Sequence, residues 1–268
     1  MSPFDLTGGP FLQLYAGLLV LTILAGIFIP RWLRPEGRMP RRIDTDDLAY
    51  LAGGGMRLAE TVTARLLATR QLAMDGKSKF TPGHLGTGTP IERSVLALPA
   101  GSSWGRVATA AGKHAGAIRE RLIDDGLLIG GGKALQLRFF QTLPYLLLLG
   151  FGYTKLLIGE SRGRPVGFLT MLLVATAIFA LIRFIALDRK TQAGREALAE
   201  ARSRSDRLRR APAGGETDLG VALFGTAVLV GSDWGDFHQM RTASSGSDGG
   251  SSGGGDGGGG GGCGGCGS

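Results

Sequence analysis

The sequence predicts a mainly α protein, with three transmembrane helices, a small helical cytoplasmic domain and a disordered tail. Three observations carry that expectation. Three stretches are nearly free of charge over about twenty residues, the length an α-helix needs to cross a hydrocarbon core of roughly 30 Å. Basic residues crowd the ends of two of those stretches. Over residues 246–268, glycine fills fifteen of twenty-three positions, a composition that cannot build a core. The average hydrophobic content of 43% therefore conceals apolar spans, a mixed soluble region and a low-complexity end.

Residues 1–10 form a short external N-terminus without Lys or Arg. The first span, 11–30, contains FLQLYAGLLVLTILAGIFI and closes at Pro30. A cleaved signal peptide is disfavoured, because the flank before it lacks Lys and Arg and no small-x-small site follows. The second span is 139–159, with Lys155 near one end, and the third is 166–187, with Arg183 near its exit. Long basic side chains at such positions reach the interface along their apolar stems. The turn at 160–165, ESRGRP, makes spans two and three an antiparallel hairpin. Soluble helices rarely lack a polar face over so many turns.

The net charge of +8 is concentrated beside these spans. Arg31, Arg34, Arg38, Arg41 and Arg42 follow the first. Nine Lys/Arg, from Arg183 to Arg210, follow the third, whereas the 160–165 turn carries two. The positive-inside rule then places the N-terminus outside and the C-terminus in the cytoplasm, with three crossings of the membrane. Segment 188–240 is expected to hold a basic helix and a short apolar one. Its run 219–232 is short for a crossing and is expected to pack on the domain or lie at the interface; the alternative is a fourth span, which would put the tail outside.

Residues 31–138 read as the cytoplasmic helical domain. Asp44-Thr45-Asp46-Asp47 offers an N-cap and first-turn acids. A short helix with Leu48, Ala49, Leu51 and Ala52 stops at Gly53-Gly54-Gly55, and a longer helix follows with Met56, Ala59, Val62, Leu66 and Leu67 on one stripe. QLAMDGKSKFTPG reads as a hairpin turning at Asp75-Gly76. PIERSVLAL is a short helix, WGRVATAAGKHAGAIRERLIDDG a longer one, and GLLIGGGKALQL an apolar piece with glycines. Helix, helix, hairpin is the outline of a winged-helix module, here in two weakly similar copies. Such modules would bind DNA through Arg57, Arg65 and Arg70, or Arg119 and Arg121. The near balance over 44–138, twelve Lys/Arg against nine Asp/Glu, makes nucleic acid the disfavoured partner.

Chemistry-bearing constellations are few. His84, His114 and His238 are isolated, and neither Asp46-Asp47 nor Asp124-Asp125 makes an acid/base pair, since helical neighbours diverge by about 100°. The glycines at 53–55 and 130–132 lack the Lys-Ser/Thr of a phosphate loop. No catalytic residue and no cofactor is expected. The tail, 241–268, holds Cys263 and Cys266, and cysteine is absent from the first 262 positions. The two thiols, Cys263 and Cys266, are candidate metal ligands, as half of a zinc set.

DTDDLAYLAGGGMRLAETVTARLLATRQLAMDG, PIERSVLAL, SRGRPVGFLTMLL and DLGVALFGTAVLVG, followed by a Gly/Cys tail, resemble a bacterial family of uncharacterised membrane proteins over nearly the whole chain. The resemblance implies a cell-membrane protein without an assigned activity. It also implies association with multinuclear iron enzymes that oxidise peptide cysteines, which would make Cys263 and Cys266 substrates. The expectation is a non-enzymatic scaffold in the lipid bilayer, its tail binding metal or meeting a cysteine-modifying enzyme, with a cytoplasmic protein as a further partner. The alternative is a membrane-tethered DNA-binding regulator.

Overall fold

A computed structural model describes residues 8–32, 34–40, 42–76, 78–83, 88–161, 167–185, 188–209 and 214–245. The chain is mainly helical. Helix α1 (Gly8–Trp32) leads through an extended segment to α2 (Thr45–Ala68). Strands β1 (Leu72–Met74) and β2 (Lys79–Pro82) follow, then α3 (Pro90–Leu96), β3 (Ser102–Ser103), α4 (Trp104–Gly112) and α5 (Ala115–Asp124). Two long helices, α6 (Gly131–Ser161) and α7 (Gly167–Ile185), precede α8 (Gln192–Arg204), α9 (Thr217–Phe224) and α10 (Gly235–Ser245).

Three helices, α1, α6 and α7, are long and apolar enough to cross a membrane. They pack on one another, with Phe11, Tyr15, Leu19, Leu148 and Leu169 buried between them. Their outer faces expose large apolar side chains: Leu147 is 67% and Phe168 77% exposed. A soluble bundle would bury such groups, whereas a bilayer solvates them. Helix α6 begins eight residues before the expected 139, at Gly131. Its 31 residues reach about 46 Å at 1.5 Å per residue, longer than a hydrocarbon core is thick, and Lys133 and Arg138 lie near its N-terminal end. Pro144 lies inside the helix, a position that membrane helices tolerate.

The second unit is a helical domain with one small sheet. Helix α2 is its centre. At Gly53 and Gly54 the backbone leaves helical geometry, and Gly54 at φ +66° occupies the left-handed region that favours glycine. Beyond that kink, Leu58, Ala59, Val62, Leu66 and Leu67 are buried. Met56, expected on the same stripe, is 50% exposed, in the first turn beyond the kink. The β1–β2 hairpin forms as expected, pairing Leu72 with Pro82 and Met74 with Phe80, and β3 adds to β2 through Phe80 and Ser102. The expected single helix over 104–126 is two, α4 and α5, broken at Lys113-His114.

A second hairpin does not follow. Leu128 forms a single antiparallel bridge with Lys190, and α6 starts three residues later. The tandem winged-helix outline is therefore not reproduced. Instead, the core joins distant segments: Leu58, Val62, Phe80, Val107, Ile118 and Leu122 pack with Ala193, Ala197, Val221, Leu229 and Phe237. The run 219–232 lies in this core as α9 and the 3₁₀ turn Thr226–Leu229, with Val221, Leu223 and Leu229 buried. Its shortness and its burial have one cause: it is a core element.

Candidate functional site

Where the two units meet, the three chain segments joining them are knitted together by backbone hydrogen bonds. The Ile129 amide donates to the Arg189 carbonyl (2.7 Å), and the Thr191 amide to Leu127 (3.1 Å). The Gln192 and Ala193 amides donate to Pro35 (3.1 Å) and Glu36 (2.8 Å). Thr191 Oγ1 caps α8 at the Gly194 amide (3.1 Å) and donates to the Gly126 carbonyl (2.7 Å). This collar needs glycine: a Cβ on Gly194 would strike the Leu127 carbonyl, and one on Gly37, at φ +78°, the Gly126 carbonyl. Arg34 donates to the Lys190 carbonyl at 2.7 Å and meets Asp188 at 3.3 Å, and Arg195 pairs with Asp188 at 2.6 Å. Burial pushes the Asp188 carboxyl up, but the Lys190 amide and Arg195 outweigh it and hold Asp188 below its ordinary value.

Inside the domain, Arg65 gathers three carboxylates from three elements. Asp46 (2.6 Å), Glu92 (3.0 Å) and Asp218 (2.9 Å) each take a separate nitrogen of its fork. Burial opposes the charge, yet these partners outweigh it and raise Arg65 further above its ordinary value. Glu92 serves twice, since its other oxygen accepts from the Thr89 amide in a capping box that starts α3. Arg121 binds Asp47 at 2.5 Å; burial dominates there and raises the Asp47 carboxyl despite that partner. The acids expected to cap α2 thus serve as ion-pair partners, and Asp44 sits at the N-cap without a side-chain bond.

Arg57 is different. It lines an open cavity of about 270 Å³ with Glu60, Thr226, His238, Arg241 and Thr242. Glu60 accepts from Arg241 at 2.9 Å, while Arg57 stands 3.4 Å from Glu60 and 3.5 Å from the Val221 carbonyl. Its Nε is buried without a hydrogen-bond partner. Arg241 also lies over the Trp104 ring, 4.7 Å from its centroid, and Thr226 Oγ1 meets His238 Nδ1 at 3.1 Å.

Between the long helices, the Tyr15 and Thr176 hydroxyls meet at 3.2 Å, and Gln141 donates to the Arg183 carbonyl at 2.6 Å. Lys155, expected to reach outward along its stem, is turned inward at 9% exposure, 4.9 Å from the centroid of Phe11. Arg183 donates to the Gly26 carbonyl of α1. Both basic groups thus tie helix to helix.

Cys263, Cys266 and the rest of the tail beyond residue 245 lie outside the described residues, as do His84 and most of the ESRGRP turn. His114 bonds Ser94 at 2.7 Å. Of the arginines considered for DNA, Arg57, Arg65 and Arg121 face carboxylates, whereas Arg70 is exposed. No group of His, Cys, Asp or Glu fit to hold a metal occurs among the described residues. Sequence reading missed the Arg57–Glu60–Arg241 cavity, because residue 241 is 181 positions from residue 60 and nothing local announces their meeting. Comparison of the chain with protein-family models, curated proteins and solved structures finds no match.

Proposed function

We propose that the chain is a non-enzymatic membrane-anchored interaction protein that presents a thiol-bearing tail on the same side of the bilayer as its helical domain. The observation that carries this reading is the shared core. Residues 51–127 follow α1, residues 193–237 follow α7, and one hydrophobic cluster takes side chains from both. With three helices crossing the bilayer, segments that share a core lie on one face of it, and so does residue 245, from which the tail departs. Basic residues beside α1 and α7 favour the cytoplasmic face of a bacterial membrane for that side. The resemblance to a bacterial membrane-protein family belongs to the same reading.

The tail's partner, in this reading, is a soft metal ion or an enzyme that modifies Cys263 and Cys266. Protein taken from its native host and digested with trypsin should release Thr242–Ser268 as one fragment, since Arg241 is the last basic residue. A mass shift on this fragment, lost when both cysteines are replaced by serine, identifies a modified substrate. An unshifted mass with stoichiometric zinc identifies a metal clip. An unshifted mass with neither metal nor any effect of the double Cys→Ser change refutes the role of the tail. Release of the protein from membranes by alkaline carbonate would refute the anchor itself.

A further inference from the structure

We propose that the cavity between α2, the turn at 224–227 and α10 binds a small water-soluble oxyanion, a phosphate or carboxylate group, through the guanidinium of Arg57. This inference stands independently of the membrane reading, because every residue it uses belongs to the helical domain.

The contrast within α2 carries the argument. Arg65 has three carboxylate partners between 2.6 and 3.0 Å, one for each nitrogen, and is complete. Eight residues earlier, Arg57 has a buried Nε without an acceptor. Its two polar neighbours stand at 3.4 and 3.5 Å, the outer limit of a hydrogen bond. Folded proteins leave few buried N–H groups unsatisfied, and those that remain call for a water, an ion or a ligand. A guanidinium presents its donors as a planar fork that matches phosphate and carboxylate in bidentate fashion.

The surroundings suit an anion. Glu60 gives its short bond to Arg241 rather than to Arg57, so two guanidinium groups share one carboxylate at the cavity wall. The carboxylates around Arg65 lie about 12 Å further along the helix axis and are engaged there. Thr226 and His238 add a hydroxyl and an imidazole to the lining. At 270 Å³ the cavity exceeds the roughly 30 Å³ share of a single water, leaving room for an anionic group and the moiety that bears it. Gly225, at φ +89°, keeps the backbone against the fork, and a Cβ there would strike the guanidinium.

The test uses full-length protein in neutral detergent, exchanged into an oxyanion-free buffer. Sodium phosphate and sodium citrate are titrated against sodium chloride at matched ionic strength, with thermal midpoint and calorimetric binding as readouts. Expected is saturable stabilisation by phosphate or citrate and not by chloride. In Arg57→Gln the affinity should fall about tenfold or more, the value of one lost charge-assisted bidentate contact. Arg57→Lys, which keeps the charge without the fork, should also weaken binding, and Arg70→Gln on the exposed surface should not. A response to both oxyanions no greater than to chloride would overturn the proposal. So would undiminished binding by Arg57→Lys, the variant that retains folding if Arg57→Gln does not.

Discussion

Arg57 and Arg65 stand little more than two turns apart on one helix, and their surroundings assign them different work. Removing Arg65 leaves three partly buried carboxylates facing one another, a repulsion that adds to the lost bonds. Arg65→Met should therefore destabilise the domain by about 3 kcal/mol, toward the range for breaking a buried ion pair. Arg57→Met should cost no more than about 1 kcal/mol, because the contacts it gives up are long and partly solvated. Chemical unfolding of the two variants in the same detergent decides between these roles; similar losses would refute the distinction. A second residue-scale effect concerns packing in the collar. Gly194→Ala drives a methyl into the Leu127 carbonyl, with backbone on both sides and no flexible group to yield. The expected cost is about 1–3 kcal/mol, the range for overpacking a well-filled site.

At the scale of elements, the collar and α10 show what local pattern could and could not reveal. Asp188 binds its proton less readily folded than unfolded, since its carboxyl is lowered by the Lys190 amide and Arg195 against the opposing effect of burial. Its contribution is therefore complete above the ordinary carboxylate range and is lost as the pH falls through that range to its lowered folded value. Asp47, raised by burial, runs the other way, its share of stability shrinking as the pH rises past the ordinary carboxylate value. Asp188→Asn should flatten the acid limb of a stability–pH profile, whereas Asp47→Asn should steepen it; unchanged limbs would contradict both assignments. The hairpin at Asp75-Gly76 and the short helix α3 were legible because their signals are local: turn residues in one case, the run PIERSVLAL in the other. The break at Gly53-Gly54-Gly55 was legible, but the exposure of Met56 in the first turn beyond it was not. Nothing near residue 128 announces that its partner is Lys190, sixty-two positions away and across two long helices. The pairing of Glu60 with Arg241 was hidden for the same reason. Charged residues read singly look like a solvated face, and only the fold shows which ones meet.

For the whole molecule, the decisive fact is that one core is assembled from chain on both sides of the α6–α7 hairpin. The apolar runs made the three long helices legible in the sequence, by length and lack of charge alone. Their common attachment to a single domain was not, because 188–240 reads locally as a basic helix and a short apolar piece. That attachment has a mechanical consequence. The collar binds the ends of α1, α6 and α7 to the domain through backbone hydrogen bonds at 35–36, 127–129 and 189–193, so the domain cannot fold fully unless the three exits lie side by side. Its own cysteines make the arrangement testable, since Cys263 and Cys266 are the only thiols in the chain. A membrane-impermeant maleimide applied to intact cells should leave both unlabelled, and the same reagent should label both in inverted vesicles unless they are modified or metal-bound. A cysteine introduced at exposed Arg70, in a background with Cys263 and Cys266 changed to serine, should follow the same pattern, because the proposed topology puts residue 70 and the tail on one face of the bilayer. Labelling of the tail and of position 70 from opposite sides would break the shared-core topology. Labelling of both from outside would preserve that topology and reverse the orientation that the basic residues indicate.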